Sequence, residues 1–251
     1  MIKLSVVVIT FNEERNIERC LASVKGLADE LVVVDSYSGD RTREICESFG
    51  ARFIEHKFDG HIEQKNFALS QAGFSHVLSL DADEAVSPEL KASILSVKEH
   101  WTRDAYEMNR MTNYCGKWIR HSGWYPDRKI RLFDKTKGRW SGINPHDRVA
   151  MDVGAGVGRL NGDILHYSYY EVSDHVKQID YFTGISARML FEQGRRPSIL
   201  RMFLGPLFRF CRDYLLKLGF LDGYEGLVIC ALSSQAVFLK YAKLRQMHES
   251  R

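Results

Sequence analysis

Over its first hundred residues the chain alternates between two spacings of apolar positions. Ser5 to Ile9, Leu31 to Val34 and Val77 to Leu80 are short, continuous apolar runs rich in β-branched residues or leucine. Such runs predict strands buried on both faces of a parallel sheet. Between them Ile17, Cys20, Leu21 and Val24 recur at i, i+3, i+4 and i+7 before Gly26, and Ile45 with Phe49 follows the same spacing before Gly50, which predicts helices. Arg52 to Glu55 predicts one more strand. Ser87-Pro88-Glu89 opens a further helix, with serine as N-cap, proline at the first helical position and an acid in the first turn. Repeated strand-helix units predict a doubly wound α/β fold, with ligands at the carboxyl ends of its strands.

From about Tyr106 to Tyr169 the pattern shifts to short β-like pieces such as Lys129 to Phe133, and from Tyr170 onward it is helical. The expected organisation is a main domain over 1–169, in halves 1–104 and 105–169, and a helical extension over 170–251.

Each buried strand ends in polar residues: Thr10 followed by Asn12-Glu13-Glu14, Asp35 followed by Ser36 to Asp40, and Asp81-Ala82-Asp83-Glu84. A parallel sheet brings these ends to one edge. In an extended chain Asp81 and Asp83 point to one side and Ala82 to the other. Such a pair suits Mg²⁺ or Mn²⁺, which takes one or two protein carboxylates and fills its remaining positions with water and phosphate oxygens. A ligand carrying a diphosphate is implied.

Composition narrows the classes. At 251 residues, 45% hydrophobic and 27% charged, the chain is globular and of a size for one α/β domain with an appendage. A net charge of +3 is too balanced for a dedicated nucleic-acid binder. Its distribution is uneven, however, because Arg195 to Arg251 holds ten basic and four acidic residues. Five dispersed cysteines, none in a C-x-x-C pair, argue against zinc and disulfide frameworks and fit a reducing cytosol. The start reads as a first strand and not as a signal peptide. There is no G-x-x-x-x-G-K-[ST], and Gly154 to Arg159 lacks the third glycine of G-x-G-x-x-G and follows no buried strand. Neither a P-loop kinase nor a dinucleotide-dependent dehydrogenase is supported.

These motifs resemble, in order, those of the family 2 glycosyltransferases: Val6-Val7-Val8-Ile9-Thr10-Phe11-Asn12-Glu13-Glu14, the second-strand Val-Val-Val-Asp35-Ser-Tyr-Ser-Gly-Asp-Arg-Thr, and Asp81-Ala82-Asp83 as the DXD motif. Gly60 with Gln64-Lys65-Asn66-Phe67-Ala68-Leu69, then Arg131-Leu132-Phe133, His146-Asp147, His166-Tyr167-Ser168-Tyr169 and Gly219 to Gly223 look like the branch containing lipopolysaccharide core β-glucosyltransferases. The resemblance implies a GT-A fold, a Rossmann-like, mostly parallel sheet flanked by helices. It makes 1–104 the nucleotide-binding half and 105–169 the acceptor half of a catalytic domain.

It also implies roles. Thr10, Asn12, Glu13 and Asp35 border a uridine pocket, with Asp35 accepting the uracil N–H. Lys65 neutralises phosphate charge. Asp83 is the direct ligand of a Mg²⁺ or Mn²⁺ ion, Asp81 contacts ribose or metal, and His166 completes the metal or diphosphate site. Arg128 and Arg131 offer guanidinium forks to the departing phosphate. The base that takes the acceptor proton is Asp147, where the related pattern carries glutamate, with Glu84 second. Trp118, Trp124, Tyr125 and Trp140 serve either as sugar platforms or as core.

The implied reaction moves a sugar, with glucose expected, from a UDP-sugar to a hydroxyl of a glycan or glycolipid in lipopolysaccharide core or other envelope synthesis. Two rival readings are a polyprenyl-phosphate glycosyltransferase and a silent sugar-nucleotide-binding or scaffold protein. The longest uncharged run of the tail, Gly226 to Leu239, has 14 residues, too few to span a bilayer. Ile199 to Leu221 is instead basic, aromatic and amphipathic. It predicts peripheral attachment to a membrane surface, at the cytoplasmic face of the inner membrane, against the alternatives of core helices packed on the catalytic domain or a homo-oligomer contact.

Overall fold

Leu4, Val6 and Val8 of the first strand enter one apolar core and Val7 enters another, so the strand has no solvent face and its sequence no alternation. The computed structural model describes residues 1–143 and 146–249, without the side chain of His146. In chain order the elements are β1 (Leu4–Thr10), α1 (Ile17–Ser23), β2 (Glu30–Asp35), α2 (Thr42–Ser48), β3 (Arg52–Glu55), α3 (His61–Gln71), β4 (His76–Asp81), β5 (Glu84–Val86) and α4 (Pro88–Glu99). There follow β6 (Ala105–Tyr114), β7 (Lys117–Trp118), β8 (Asp127–Asp134), β9 (Gly138–Ile143), β10 (His146–Met151), β11 (Val157–Tyr169), α5 (Val172–Glu192), α6 (Ile199–Cys211) and α7 (Gly223–Glu249). A π turn (Arg212–Leu216) and a 3-10 turn (Gly219–Asp222) join the last two helices.

The main sheet runs β3-β2-β1-β4-β8-β6-β11-β5, with β7 paired to β6. β3, β2, β1 and β4 are parallel, and β8 joins them antiparallel to β4. This is the helix-flanked α/β sheet of GT-A type that the sequence implies. Ile17 and Leu21 of α1 and Leu90 and Ile94 of α4 cover one face, while Ala68 and Leu69 of α3, Phe133, Trp140 and Val149 fill the other. The serine-proline start of α4 forms as expected, with Ser87 Oγ accepting from the Leu90 N–H at 3.2 Å.

The chain divides into two units, the first comprising 1–110 and 127–167, the second 111–126 and 168 onward. The segment 111–126, which the sequence reading joins to the acceptor half, therefore groups with the helical extension. Its reason lies in the second unit's own core. Tyr114, Ile119, Tyr169 and Ile229 pack there, and partly buried Trp124 lies against Tyr114 and Tyr169. Asp222 accepts from the backbone N–H of Arg120 and His121 at 3.1 and 2.8 Å. Gly226 has no room for a side chain, because a Cβ there would stand 2.0 Å from the Gly219 carbonyl oxygen.

Gly219 to Glu249, the 3-10 turn and α7 together, is long and apolar enough to cross a membrane by length and composition, with a mean hydropathy of 1.4 over its most apolar stretch. The 14-residue criterion misses this because it stops at the first charge on either side. α7 packs along both α5 and α6.

His175 lies buried in this second core with its Nδ1 3.2 Å from the Tyr114 hydroxyl, and burial pushes it down to about 4. An unfolded histidine titrates near 6.5. Below that pH the unfolded chain takes up the proton first, so stability is lost as pH falls from about 6.5 towards 4. The loss reaches about 2 kcal/mol by pH 5 from this group alone. Urea denaturation of wild type and His175→Phe at pH 7 and pH 5 should show the difference between them shrink by that amount. A constant difference would mean that His175 is not held neutral.

Candidate active site

Parallel registry aligns Thr10 with Asp35 and Ile9 with Asp81, bringing the three strand ends to one edge of the first unit. The loops after β1 and β2 then lock together. Ser38 donates to Asp35 through both its backbone N–H, at 2.7 Å, and its hydroxyl, while its Oγ accepts from the Asn12 N–H and the Asn12 side chain accepts from the Gly39 N–H. Asn12 and Tyr37 adopt left-handed backbone, with φ of 52° and 64°, to make these turns. Buried Asp35 thus shapes the loop from within, and Thr10 Oγ1 is buried without a hydrogen-bond partner. Burial pushes the Glu13 carboxyl up, the Asn16 amide opposes, and the carboxylates of Asp83, Asp40 and Asp81 add to the rise, to about 7.

The acidic motif is not extended. Asp81 ends β4, Ala82 and Asp83 form a turn, and Glu84 begins β5. Ala82 points into the core as expected, and the two acids take different partners. Asp81 meets the Lys65 ammonium at 2.9 Å and Arg131 at 3.1 Å. Burial pushes its carboxyl up, and the Lys65 and Arg131 cations more than reverse this, holding it well below the usual range. Asp83 lies 3.2 Å from His166 Nε2, and its carbonyl accepts from the Tyr167 N–H at 2.9 Å. Burial raises the Asp83 carboxyl, but His166 outweighs it and leaves it lowered.

Glu84 is fully buried. One oxygen accepts from the Asp81 N–H at 3.0 Å, and the other meets Arg131 at 2.7 Å and Arg110 at 3.7 Å. Its expected second place as acceptor base does not fit, because no surface of it can reach an acceptor hydroxyl. Arg110 continues to Asp127 at 2.9 Å, and Lys65 reaches Asp147 at 2.7 Å. Lys65 and Arg131 lie 4.4 and 5.0 Å from the centre of the Trp140 ring. Trp140 is therefore a buried support for two cations. Burial lowers the Arg131 guanidinium, and Glu84, Asp81 and Asp147 more than restore it, so it stays charged.

Helix α3 sets this up with three successive residues. Gln64 bonds Ser36 after β2 and His56 after β3, Lys65 enters the acidic cluster, and Asn66 exchanges two hydrogen bonds with the Trp140 backbone. The last of these pins the β9–β10 hairpin, which carries Asp147 opposite Gly142. Asn144 and Pro145 of the Asn144-Pro145-His146-Asp147-Arg148 motif lie outside the described residues.

The structure brings together Lys65, Asp81, Asp83, Glu84, Arg131, Asp147 and His166 from the expected set. Arg128 does not join them. The β6–β8 ladder skips Arg131, and Arg128 sits half exposed, 4.0 Å from Glu107. Arg110 and Asp127 were not anticipated. The pairing of β6 with β8, which sets Arg110 opposite Asp127, has no signal in the local sequence, and because it skips Arg131 the strand period alone does not connect Asp127 with Arg131.

Among the described residues, five carboxylates (Asp81, Asp83, Glu84, Asp127, Asp147) face four permanent cations (Lys65, Arg110, Lys129, Arg131) in this network, leaving −1 before any ligand binds. Among the described residues no three His, Cys, Asp or Glu side chains form a cage for an ion. Asp83 and His166 offer one oxygen and one nitrogen. That set fits a divalent cation which takes the rest of its shell from phosphate and water.

The model of glycosyl transferase family 2 matches residues 5–154. An uncharacterized glycosyltransferase of Rickettsia bellii is 32% identical over 98% of this chain and 87% of its own length. The lipopolysaccharide core biosynthesis glycosyltransferase LpsC of Rhizobium meliloti is 26% identical over 98% of this chain and 93% of its own. Among solved structures, Staphylococcus aureus TarS in complex with UDP-GlcNAc is similar with a TM-score of 0.49, at 16% identity over 99% of this chain and 92% of that one.

Proposed function

We propose that this chain, which belongs to glycosyl transferase family 2, is a metal-dependent, inverting enzyme that moves glucose from UDP-glucose to a hydroxyl of a lipopolysaccharide-core or related envelope glycolipid. The observation that carries the proposal is the Lys65 bridge, one ammonium held between Asp81 at 2.9 Å and Asp147 at 2.7 Å, beside the Asp83–His166 pair. The lipopolysaccharide-core role of the LpsC relative supports the acceptor class. It supports equally the address, the cytoplasmic face of the inner membrane, as does the apolar α7.

In this reading Thr10, Asn12, Glu13 and Asp35 border the uridine. Asp83 and His166 would hold a divalent cation, which would supply charge compensation for the leaving diphosphate, while Asp81 borders the same pocket. Among the described residues, Arg131 Nε and Nη1 are buried without a hydrogen-bond partner. Those two donors face the charge that builds on the leaving group. Lys65 turns from Asp147 to the diphosphate when the donor arrives. Asp147 is then free to take the proton of the acceptor hydroxyl as it attacks from the face opposite UDP, so the donor binds first.

Hydrolysis of a panel of UDP- and GDP-sugars with and without Mn²⁺ tests the donor and the ion together. Turnover confined to GDP-sugars, or indifferent to the ion, would refute those parts. Asp147→Asn should lower transfer by about 10²- to 10⁴-fold, the usual contribution of a general base. UDP affinity should hold or rise, since Lys65 loses a competing partner. Retained transfer would favour a phosphate acceptor such as a polyprenyl phosphate, which needs little base.

A further inference from the structure

Helix α6 is turned inside out for a helix packed on a protein. Ile199, Leu200, Phe203, Leu204, Leu207 and Phe208 follow an i, i+1, i+4, i+5, i+8, i+9 pattern that makes one continuous helical face. Each of them is between 54% and 68% exposed, and no residue of the helix is buried. The opposite face is the one in contact with protein. Gly205 approaches Val237 closely, the Pro206 carbonyl accepts from the Ser234 hydroxyl at 2.8 Å, and Arg209 turns to Asp213. Leu215, Leu216, Phe220 and Leu221 extend the apolar surface through the turns beyond the helix, at 45% to 77% exposure. A patch of this extent is far outside what a monomer leaves in water without a use.

Charge indicates the occupant. Between Arg195 and Leu218 stand six cations, Arg195, Arg196, Arg201, Arg209, Arg212 and Lys217, against one carboxylate, Asp213. Asp213 is buried and taken up by Arg209 and Arg212. Arg201 follows Leu200 at the border of the apolar face. Together with Arg195, Arg196, Ser198 and Tyr241 it lines a cavity of about 540 Å³ at the start of α6.

We propose that α6 and the turns after it form an in-plane docking surface for an anionic bilayer, with Phe203, Leu204, Leu207 and Phe208 at the acyl boundary and the Arg195–Arg196–Arg201 cavity taking headgroup phosphates. An apolar centre rimmed by cations is complementary to anionic headgroups over acyl chains. A second copy of this chain would present the same cations to one another. The inference deepens the membrane address proposed above and does not depend on the donor, the metal or the base.

The full-length protein should sediment with vesicles of phosphatidylglycerol and phosphatidylcholine, and at least about tenfold less with phosphatidylcholine alone, because several basic side chains near the surface each add attraction. Binding should weaken in high salt. Leu204→Glu with Phe208→Glu should lower it by about tenfold or more, and Arg196→Glu with Arg201→Glu by a similar factor. These side chains are exposed, so both variants should keep the wild-type melting temperature and the wild-type rate of UDP-sugar hydrolysis without lipid. Loss of hydrolysis with vesicle binding intact would strike the catalytic reading alone. Equal binding to both vesicle types would overturn the docking surface. So would resistance to alkaline carbonate extraction, which would make the tail a spanning helix, or a lipid-free dimer that dissociates in the Leu204→Glu/Phe208→Glu variant.

Discussion

Asp83→Ala should reduce sugar transfer by about a thousandfold or more, the scale of several kcal/mol of charge stabilisation at a departing diphosphate. It should also erase the difference that Mn²⁺ makes to UDP affinity. The size of the effect follows from the lack of a substitute. Asp81 is held by Lys65 and Arg131, and Glu84 is fully buried and committed to Arg131 and to the Asp81 N–H, so neither can move to an ion beside His166. The fold should tolerate the change, because Asp83 sits in a turn whose backbone is fixed by the Tyr167 N–H and not by the carboxylate. Titration calorimetry of UDP with and without Mn²⁺ reads the outcome directly. A metal effect that persists in the variant would put the ion elsewhere and leave Asp83 as a partner of His166 only.

How much of this was legible in advance depends on the distance over which each feature is set. The parallel strands were readable because burial on both faces writes an unbroken apolar run into four or five successive residues. Lys65, Asp81 and Asp83 were readable because each lies inside a short motif tied to a strand end or helix start. Motif spacing did not give the conformation, and it was a turn at Ala82–Asp83, not an extended strand, that separated the partners of Asp81 and Asp83. Arg128 and Arg131 look equivalent in sequence, but the β6–β8 ladder skips Arg131 while Arg128 lies exposed beside Glu107. Arg110 was invisible because its place depends on β6 pairing with β8 some twenty residues along the chain. In the tail, composition gave an amphipathic segment, and only the packing of α6 through Gly205 and Pro206 revealed that the apolar face is the outer one.

Arg131→Met should destabilise the first unit by about 3–5 kcal/mol, the cost of removing one partner from a buried ion pair. Arg131 is buried and bridges Glu84 at 2.7 Å and Asp81 at 3.1 Å. Without it Glu84 is a fully buried carboxylate whose nearest cation is Arg110 at 3.7 Å. Most of the loss should then come from the stranded charge and not from the missing arginine. Adding Glu84→Gln tests this, since the amide is neutral yet its oxygen can still accept from the Asp81 N–H. The double variant should recover at least about half of the lost stability in urea denaturation. UDP affinity and transfer should not recover with it. Asp81 would still lack one of its two cations, and the Nε and Nη1 donors would still be gone from the phosphate side. If the double variant proved as unstable as Arg131→Met alone, the stabilisation would lie in the packing of the guanidinium on Trp140, 5.0 Å from the ring centre, and the charge network would matter for the chemistry only.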